Sequence, residues 1–168
     1  DSIPIVAITG QVASTLLGSD AFQETDIMGA TFPLVKHSYM IQNVEEIPRI
    51  IHEAFHIARS GRPGPVLIDI PKNIQQQEGI ADFHVSFDCP SYRPNLKPSV
   101  LQCKKAAHTI QTAKRPIIYA GGGIISSGAS EELRAFAKKT GIPVTTTAMG
   151  LGAFPSNDPL SLRMLGMH

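Results

Sequence analysis

The sequence predicts an α/β fold in which parallel sheets are flanked by helices. Short aliphatic runs such as "PIVAITG" at 4–10 and "GPVLIDIP" at 64–71 have the continuous apolar character of strands buried in a parallel sheet. Segments with helical apolar periodicity separate such runs, which is the pattern of βαβ units. The chain has 168 residues, 42% hydrophobic and 17% charged, so it can form a packed core.

The first half of the chain predicts one βαβ crossover. After the strand at 4–10 comes a polar loop with a short helix, and "VKHSYMI" at 35–41 is expected to be the second strand. Asn43 and Glu46 have the spacing of a capping box, which starts a helix over 44–60. The strand at 64–71 completes the crossover and is predicted to be buried on both faces.

The second half predicts another βαβ unit after a proline-rich linker. Proline recurs across residues 79–98 without any helix or strand period. A helix from Val100 to Ala113, a strand ending in glycines, a helix ended by Gly141 and the strand "IPVTTTAMG" follow. We therefore divide the chain into 1–78, a linker at 79–98 and 99–168, and we expect both ends to continue into a longer protein.

Composition excludes several functional classes. The net charge is +1 and the basic residues are scattered, so no nucleic-acid-binding surface is predicted. Two cysteines form no disulfide framework, and both are interpreted as reduced in an intracellular compartment. No segment has the length of a membrane span, and no secretory signal is present.

The pentapeptide "HEAFH" at 52–56 matches the zinc peptidase motif H-E-x-x-H. On the predicted helix, however, an apolar stripe (Ile47, Ile50, Ile51, Ala54, Phe55 and Ala58) faces the sheet. His52, Glu53 and His56 are expected on the opposite, solvent-facing side, with no cleft and no third ligand. We interpret the motif as helix surface and predict no metal site.

Polar side chains cluster where predicted strands end. The stretch "GQVASTLLGSDAFQET" at 10–25 carries amide and carboxylate groups beside Phe22, and Lys72 follows the strand predicted at 64–71. Ligands of open α/β sheets bind at such strand ends. Arg62 projects from the turn before that strand and is suited to a phosphate or carboxylate. A polar loop and surface charges remain the alternative interpretation.

The stretch "YAGGGIISSG" predicts a strand, a glycine turn and a helix, as in phosphate-binding loops. It is not the dinucleotide fingerprint, because Ser126 stands where the third glycine would be required. Threonines at 145–147, and no acidic residue, end the next strand, which disfavours NAD. Contact with another nucleotide and a simple tight turn both remain open.

Several motifs along the chain form a pattern when they are taken in order. They are "AITGQV", "GSDAFQET", "KHSY", "SGRPGPVLIDIPK", "AGGG", "TGIPV", "MGLGAFP" and "LRMLGMH". The combination of "DAFQE", "GRPGPV" and "MGLG" is specific, whereas each motif alone is weak. Taken together, these motifs resemble the catalytic large subunit of acetolactate synthase (acetohydroxyacid synthase). The resemblance covers essentially the whole chain and is weakest in the linker.

The resemblance implies parts of two domains of a thiamine-diphosphate enzyme. Residues 1–78 would be the later part of the pyrimidine-binding domain, and 99–168 the first half of a Rossmann-like central FAD domain. Family members condense two pyruvates, or pyruvate with 2-oxobutanoate, in branched-chain amino-acid synthesis. They use thiamine diphosphate, Mg²⁺ and a structural FAD, form homodimers or homotetramers, and can bind a regulatory small subunit. The implied location is the cytoplasm of a prokaryote or the plastid of a plant or alga.

The resemblance also assigns site residues. Gln23 and Phe22 are implied to be catalytic residues that line the active-site cavity, with Gln23 near the intermediate. The substrate channel would be lined by Val12, Ala13, Ala21 and Lys72. Contacts with FAD are expected from Arg62, Gly121, Gly122, Gly123, Thr147, Met149, Leu165, Gly166, Met167 and His168.

Two departures from the family pattern affect these expectations. Ala13 stands where many relatives have proline, which changes the expected shape of the channel. The family's catalytic glutamate lies upstream of Asp1 and its metal-binding "GDG…N" segment lies downstream, so the 168 residues alone are expected to be inactive. A related carboligase or decarboxylase, and a free-standing nucleotide-binding module, are the alternative functions.

Overall fold

The computed structural model describes residues 1–80, 82–84, 89 and 92–166. The chain divides into two compact units, Asp1–Lys97 and Pro98–His168. Each unit contains a three-stranded sheet whose paired strands all run parallel, accompanied by helices. The predicted α/β fold with parallel sheets is therefore confirmed.

The first unit has the strand order β1-β3-β2, so the last strand in sequence lies at the centre of the sheet. This central strand is buried along almost its whole length, as its continuous apolar sequence predicted. A short helix follows it directly and had not been predicted. The elements are β1 (Val6–Gln11), α1 (Ile27–Thr31), β2 (His37–Met40), α2 (Ile47–Arg59), β3 (Val66–Pro71) and α3 (Lys72–Gln75).

The prediction that the first strand is buried was wrong. No residue of β1 is fully buried, and Ile8 is largely exposed. The physical reason is its place in the sheet: β1 pairs only with β3 and has no described strand on its other side. A continuous apolar run does not distinguish an edge strand from a central one.

Helix α2 covers the sheet with a face that differs from the predicted stripe. Ile57, which the prediction omitted, is only 5% exposed, whereas Phe55 is 52% exposed. Ile50 and Ala54 lie in the same core cluster, which includes Val66 of the central strand. The first predicted turn, Val44–Glu46, is a 3-10 helix, and Asn43 accepts a capping hydrogen bond there.

The prediction that the polar residues of "HEAFH" all face solvent was wrong for Glu53. His52 and His56 are exposed, but Glu53 is buried. Its carboxylate accepts hydrogen bonds from Arg49 at 2.7 Å and from the Tyr39 hydroxyl at 3.1 Å. Burial and then the Glu53 charge raise the pKa of Tyr39, so its hydroxyl stays protonated and donates.

Neither a metal-binding cluster of side chains nor a membrane-spanning helix is found among the described residues. No group of three or more His, Cys, Asp and Glu side chains among the described residues could hold a metal ion. Within the same residues, no helix is long and apolar enough to cross a membrane.

The second unit has the strand order β4-β5-β6. Its last strand had not been predicted, and a register shift between Val144 and Thr145 interrupts its pairing. The hydroxyl of Thr145 donates to the Arg163 carbonyl at 2.7 Å across this irregularity. The elements are α4 (Val100–Thr112), β4 (Ile118–Ala120), α5 (Gly122–Ser126), α6 (Ser130–Thr140), β5 (Val144–Thr146) and β6 (Ser161–Met164).

Helices α4 and α6 were predicted correctly, but they contribute unequally to the core, and the short α5 lies where a glycine turn was expected. Helix α6 ends where Gly141 adopts a left-handed conformation with φ 68°, and its Leu133 and Ala137 are buried. Helix α4 has no buried residue, and Ser99 at its N-cap makes no capping hydrogen bond through its side chain. The core of this unit is formed by α6, the sheet and the buried residues Ala153 and Phe154.

Replacement of Ile57 by alanine tests the observed face of α2. We expect a loss of about 2–5 kcal/mol in the free energy of unfolding, because the substitution leaves a cavity against the central strand. Phe55→Ala on the same helix is the matched control and should cost much less. The measurement is urea unfolding of both variants. Equal losses, or a larger loss for Phe55→Ala, would restore the face that the sequence predicted.

Candidate functional site

The chain leaves β1 and β3 at the same edge of the first sheet. Gln11 at the end of β1 lies opposite Pro71 at the end of β3, so Val12 and Lys72 both begin at this edge. Asn73 accepts a hydrogen bond from the Ser14 backbone amide at 2.8 Å and donates one to its hydroxyl at 2.7 Å. The structure thus brings Val12 and Lys72, and with them Ala13, to one edge.

Residues 12–25 form a loop, named here the 12–25 loop, that carries the candidate catalytic residues. Phe22 is 88% exposed near its tip. Gln23 has φ 65° and Asp20 has φ 54°, a left-handed conformation that residues other than glycine rarely adopt. Ala21 is half-buried between them. Such backbone strain persists where surrounding contacts hold it in place and is frequent at functional sites.

The Glu24 side chain stabilises this loop by accepting hydrogen bonds from its backbone. Its carboxylate accepts hydrogen bonds from the Gly18 amide and, at 2.9 Å, from the Ala21 amide. These bonds, the one from Gly18 first, lower the pKa of Glu24 below its ordinary value. The charged form of Glu24 therefore stabilises the turn that presents Phe22 and Gln23.

Sequence reasoning did not identify Asp69, which lies at the centre of the sheet and has 0% exposure. One carboxylate oxygen accepts a hydrogen bond from the Thr9 hydroxyl at 2.7 Å, and the other accepts one from the Gln11 side-chain amide at 3.2 Å. The only sequence signal was an acidic residue inside the apolar strand "VLIDIP". Because a buried carboxylate requires hydrogen-bond partners, that signal predicts a polar network.

A cavity of about 440 Å³ lies beside the loop. It is bounded by the loop, the start of α1 and the ends of β2 and β3, and three carboxylates face it or its rim. Its described lining residues are Gln11, Leu17, Gly18, Glu24, Thr25, Asp26, Ile27, Met28, Met40 and Asp69.

Arg62 lies at the opposite end of the first sheet. It precedes β3, whereas Lys72 follows it, and a six-residue strand separates the two by about 20 Å. The Arg62 guanidinium donates to the Ser2 hydroxyl at 2.8 Å, and Gly61 supplies a left-handed turn with φ 60°. The structure therefore does not bring Arg62 together with the 12–25 loop.

In the second unit, the loops after β4 and β5 pack against each other. The Thr147 amide donates to the Ala120 carbonyl at 3.0 Å, and the Thr147 hydroxyl accepts from the Gly150 amide at 3.1 Å. A Cβ atom on Gly122 would lie 3.0 Å from Met149, while one on Gly123 would meet open space. The predicted set of Gly121, Gly122, Gly123, Thr147 and Met149 is thereby brought together.

The residues after β6 reach the same edge of the second sheet. Met164 lies opposite Thr146, so Leu165 and Gly166 begin beside the loop after β5. Leu165 is exposed, and Gly166 has φ 112°, which favours glycine. The remaining predicted contacts, Met167 and His168, lie outside the described residues.

Comparison with known proteins identifies relatives along the whole chain. Residues 103–168 match the family model described as "Thiamine pyrophosphate enzyme, central domain". The acetolactate synthase large subunit of Corynebacterium glutamicum is 54% identical over all 168 residues of this chain. The chain is homologous to acetolactate synthase large subunits. The predicted resemblance is therefore confirmed.

Other acetolactate synthases also align with the whole of this chain. Acetolactate synthase 1, chloroplastic, of Oryza sativa subsp. japonica is 54% identical over 170 aligned residues, and the large subunit of Buchnera aphidicola is 52% identical. Both alignments cover 100% of this chain. The chain spans 27% of the Corynebacterium protein, 26% of the rice protein and 30% of the Buchnera protein.

Gly150→Ala tests the contact between the two loops of the second unit. A Cβ atom at Gly150 would lie 2.4 Å from the Ala120 carbonyl oxygen, so the loops must separate. We expect the free energy of unfolding to fall by more than about 2 kcal/mol. Gly123→Ala, where a Cβ meets open space, is the matched control and should leave thermal unfolding nearly unchanged. Similar melting temperatures for the two variants would contradict this account.

Glu24→Gln tests whether the Glu24 carboxylate stabilises the 12–25 loop. Because the pKa of Glu24 is lowered from 4.5 in the folded protein, its stabilising contribution is complete above that value and lost as pH falls below it. The melting temperature of the wild type should exceed that of Glu24→Gln at neutral pH. The difference should shrink as the pH falls below 4.5 and the Glu24 carboxylate becomes protonated. Glu78→Gln, at an exposed site, serves as the control.

Proposed function

We propose that this chain is the middle part of an acetolactate synthase large subunit. The complete protein condenses two pyruvates to 2-acetolactate, or pyruvate with 2-oxobutanoate to 2-aceto-2-hydroxybutanoate, and releases CO2. This reaction belongs to branched-chain amino-acid biosynthesis. The observation that carries the proposal is the match of the whole chain, at 54% identity, to an acetolactate synthase large subunit.

The grouping of the candidate residues supports their proposed roles. Gln23 and Phe22 contact the reacting molecules from the exposed tip of the 12–25 loop. Val12, Ala13, Ala21 and Lys72 line the route that substrates take. The support is that these residues belong to one loop or to the strand end beside it. Short polar and aromatic side chains at such an edge can orient a small 2-oxo acid and exclude water.

Thiamine diphosphate is the proposed catalytic cofactor, and it supplies the carbanion chemistry when bound. The family resemblance places the Mg²⁺ ligands in a segment downstream of this chain. The role of this chain is to orient substrates beside the cofactor through the 12–25 loop.

FAD is proposed as a second, structural cofactor of the central domain. The donor set of the second unit fits it: three glycines, the Thr147 hydroxyl and the exposed Met149 meet at one sheet edge. Threonines, and no carboxylate, end β5 there. The family resemblance makes Arg62 a further proposed contact of FAD.

We further propose that residues 1–78 are the later part of the pyrimidine-binding domain and 99–168 the first half of the central domain, joined by a linker at 79–98. The match of residues 103–168 to the central-domain family supports the second assignment. The complete protein would assemble as a homodimer or homotetramer and could take a regulatory small subunit. Its proposed location is the cytoplasm of a prokaryote or a plastid, since relatives come from bacteria and plant chloroplasts.

A segment exchange tests the proposed function. The 168 residues replace the matched stretch of the Corynebacterium large subunit, and acetolactate formation from pyruvate is measured with added thiamine diphosphate, Mg²⁺ and FAD. We expect activity within about tenfold of the parent, because protein cores tolerate many simultaneous apolar substitutions when their volume and pattern are kept. The matched control carries the corresponding stretch of the Buchnera protein, which is 52% identical to this chain.

The outcomes separate the functional classes. An active control with an inactive exchange of this chain would contradict the proposal. Decarboxylation without acetolactate would favour a related carboligase or decarboxylase. A cooperative melt and FAD binding by the isolated 168 residues would favour a free-standing nucleotide-binding module.

A further inference from the structure

The 12–25 loop is held by hydrogen bonds and not by hydrophobic burial. No residue from 12 to 25 is buried, and the few half-buried ones include Val12, Leu17 and Ala21. On one side the loop borders the cavity of about 440 Å³, which provides no packed surface. The position of the loop therefore depends on the polar groups that tie it to the sheet.

The Gln11 side chain joins both ends of the loop. Its amide nitrogen donates to the Thr25 carbonyl at 2.7 Å, and its amide oxygen accepts from the Val12 backbone at 2.9 Å. The loop thus has the closed ends of an Ω-loop, and one side chain closes it. No charged side chain could replace this amide, because the bonds require a donor and an acceptor together.

Asp69 fixes the orientation of that amide. The same Gln11 nitrogen lies 3.2 Å from the Asp69 carboxylate, which can only accept. This contact requires the nitrogen of Gln11 to face the sheet and Thr25, and its oxygen to face Val12. The Thr9 hydroxyl donates to the other carboxylate oxygen at 2.7 Å, so each oxygen of the buried Asp69 carboxylate has its own donor.

We propose that Asp69 and Gln11 are positioning residues that clamp the 12–25 loop and thereby set the place of Phe22 and Gln23. Neither residue contacts substrate in this proposal. The catalytic consequence rests on the proposed function, whereas the clamp itself does not. The Ser14–Asn73 pair anchors the start of the loop, whereas the bond from Gln11 to Thr25 joins its end to the sheet.

The test uses the complete protein with thiamine diphosphate, Mg²⁺ and FAD. Gln11→Met preserves the length of the side chain but removes both hydrogen bonds to the loop. Asp69→Asn preserves shape but removes the charged acceptor, because its amide turns either hydrogens or a weaker, neutral oxygen toward Gln11. The control, Thr9→Val, removes the hydroxyl from Asp69 and leaves the Gln11 clamp intact. Each variant is examined by hydrogen exchange of the 12–25 peptide and by steady-state kinetics with pyruvate.

The clamp predicts a specific set of results. Gln11→Met and Asp69→Asn should speed exchange in the 12–25 peptide but not in the 66–71 peptide. They should lower kcat per folded enzyme about 10–100-fold, because small displacements of positioning groups have effects of this size. KM should change much less. The double variant should be no worse than the worse single one, because both act through one clamp. Thr9→Val should lower the melting temperature without either effect.

Opposite results would overturn the inference. Unchanged loop exchange in Gln11→Met shows that no clamp exists, and this variant decides the matter if Asp69→Asn does not fold. Faster exchange with unchanged kcat shows a clamp without a catalytic role. A wild-type protein that forms no acetolactate removes the proposed function and the catalytic role with it, while the exchange data still decide whether Gln11 and Asp69 hold the loop.

Discussion

Parallel pairing of strands is the constraint on which both candidate sites depend. The C-terminal ends of parallel strands lie at the same edge of the sheet, so the segments that follow these strands are close together. In the first unit this places the loop after β1 beside the start of α3. In the second unit it joins the segments after β4, β5 and β6. Residues that are distant in sequence thus become neighbours through strand register alone.

The buried Asp69 shows how a site can be connected to such a sheet. A carboxylate inside an apolar strand is unfavourable unless its oxygens are hydrogen-bonded. Thr9 and Gln11, both on the neighbouring strand, supply those bonds. Because Gln11 also closes the adjacent loop, the requirement to satisfy Asp69 and the requirement to order the loop are met by the same side chain.

The sequence predicted those features that local pattern determines. The central strand, the crossover helix and the glycine that ends α6 follow from apolar continuity, helical period and left-handed backbone preference. The burial of Glu53 and Ile57, the edge position of β1 and the strand β6 depend on which neighbours are present, which periodicity does not encode. Motif resemblance likewise identified Phe22 and Gln23 but not the side chains that hold their loop.

The turn that carries Arg62, at the other end of the first sheet, is also held by polar side chains. Lys36 donates to the carbonyls of Ile57 and Ser60 at the C-terminus of α2, where a positive charge is favourable. Lys36 also bonds the Tyr92 hydroxyl, which packs against Gly61. Burial raises the pKa of Tyr92, but the bonds with Lys36 and Ser60 outweigh it, and the pKa is lowered. The turn that carries Arg62 and the loop that carries Phe22 and Gln23 are therefore both held by polar side chains outside the set of candidate residues.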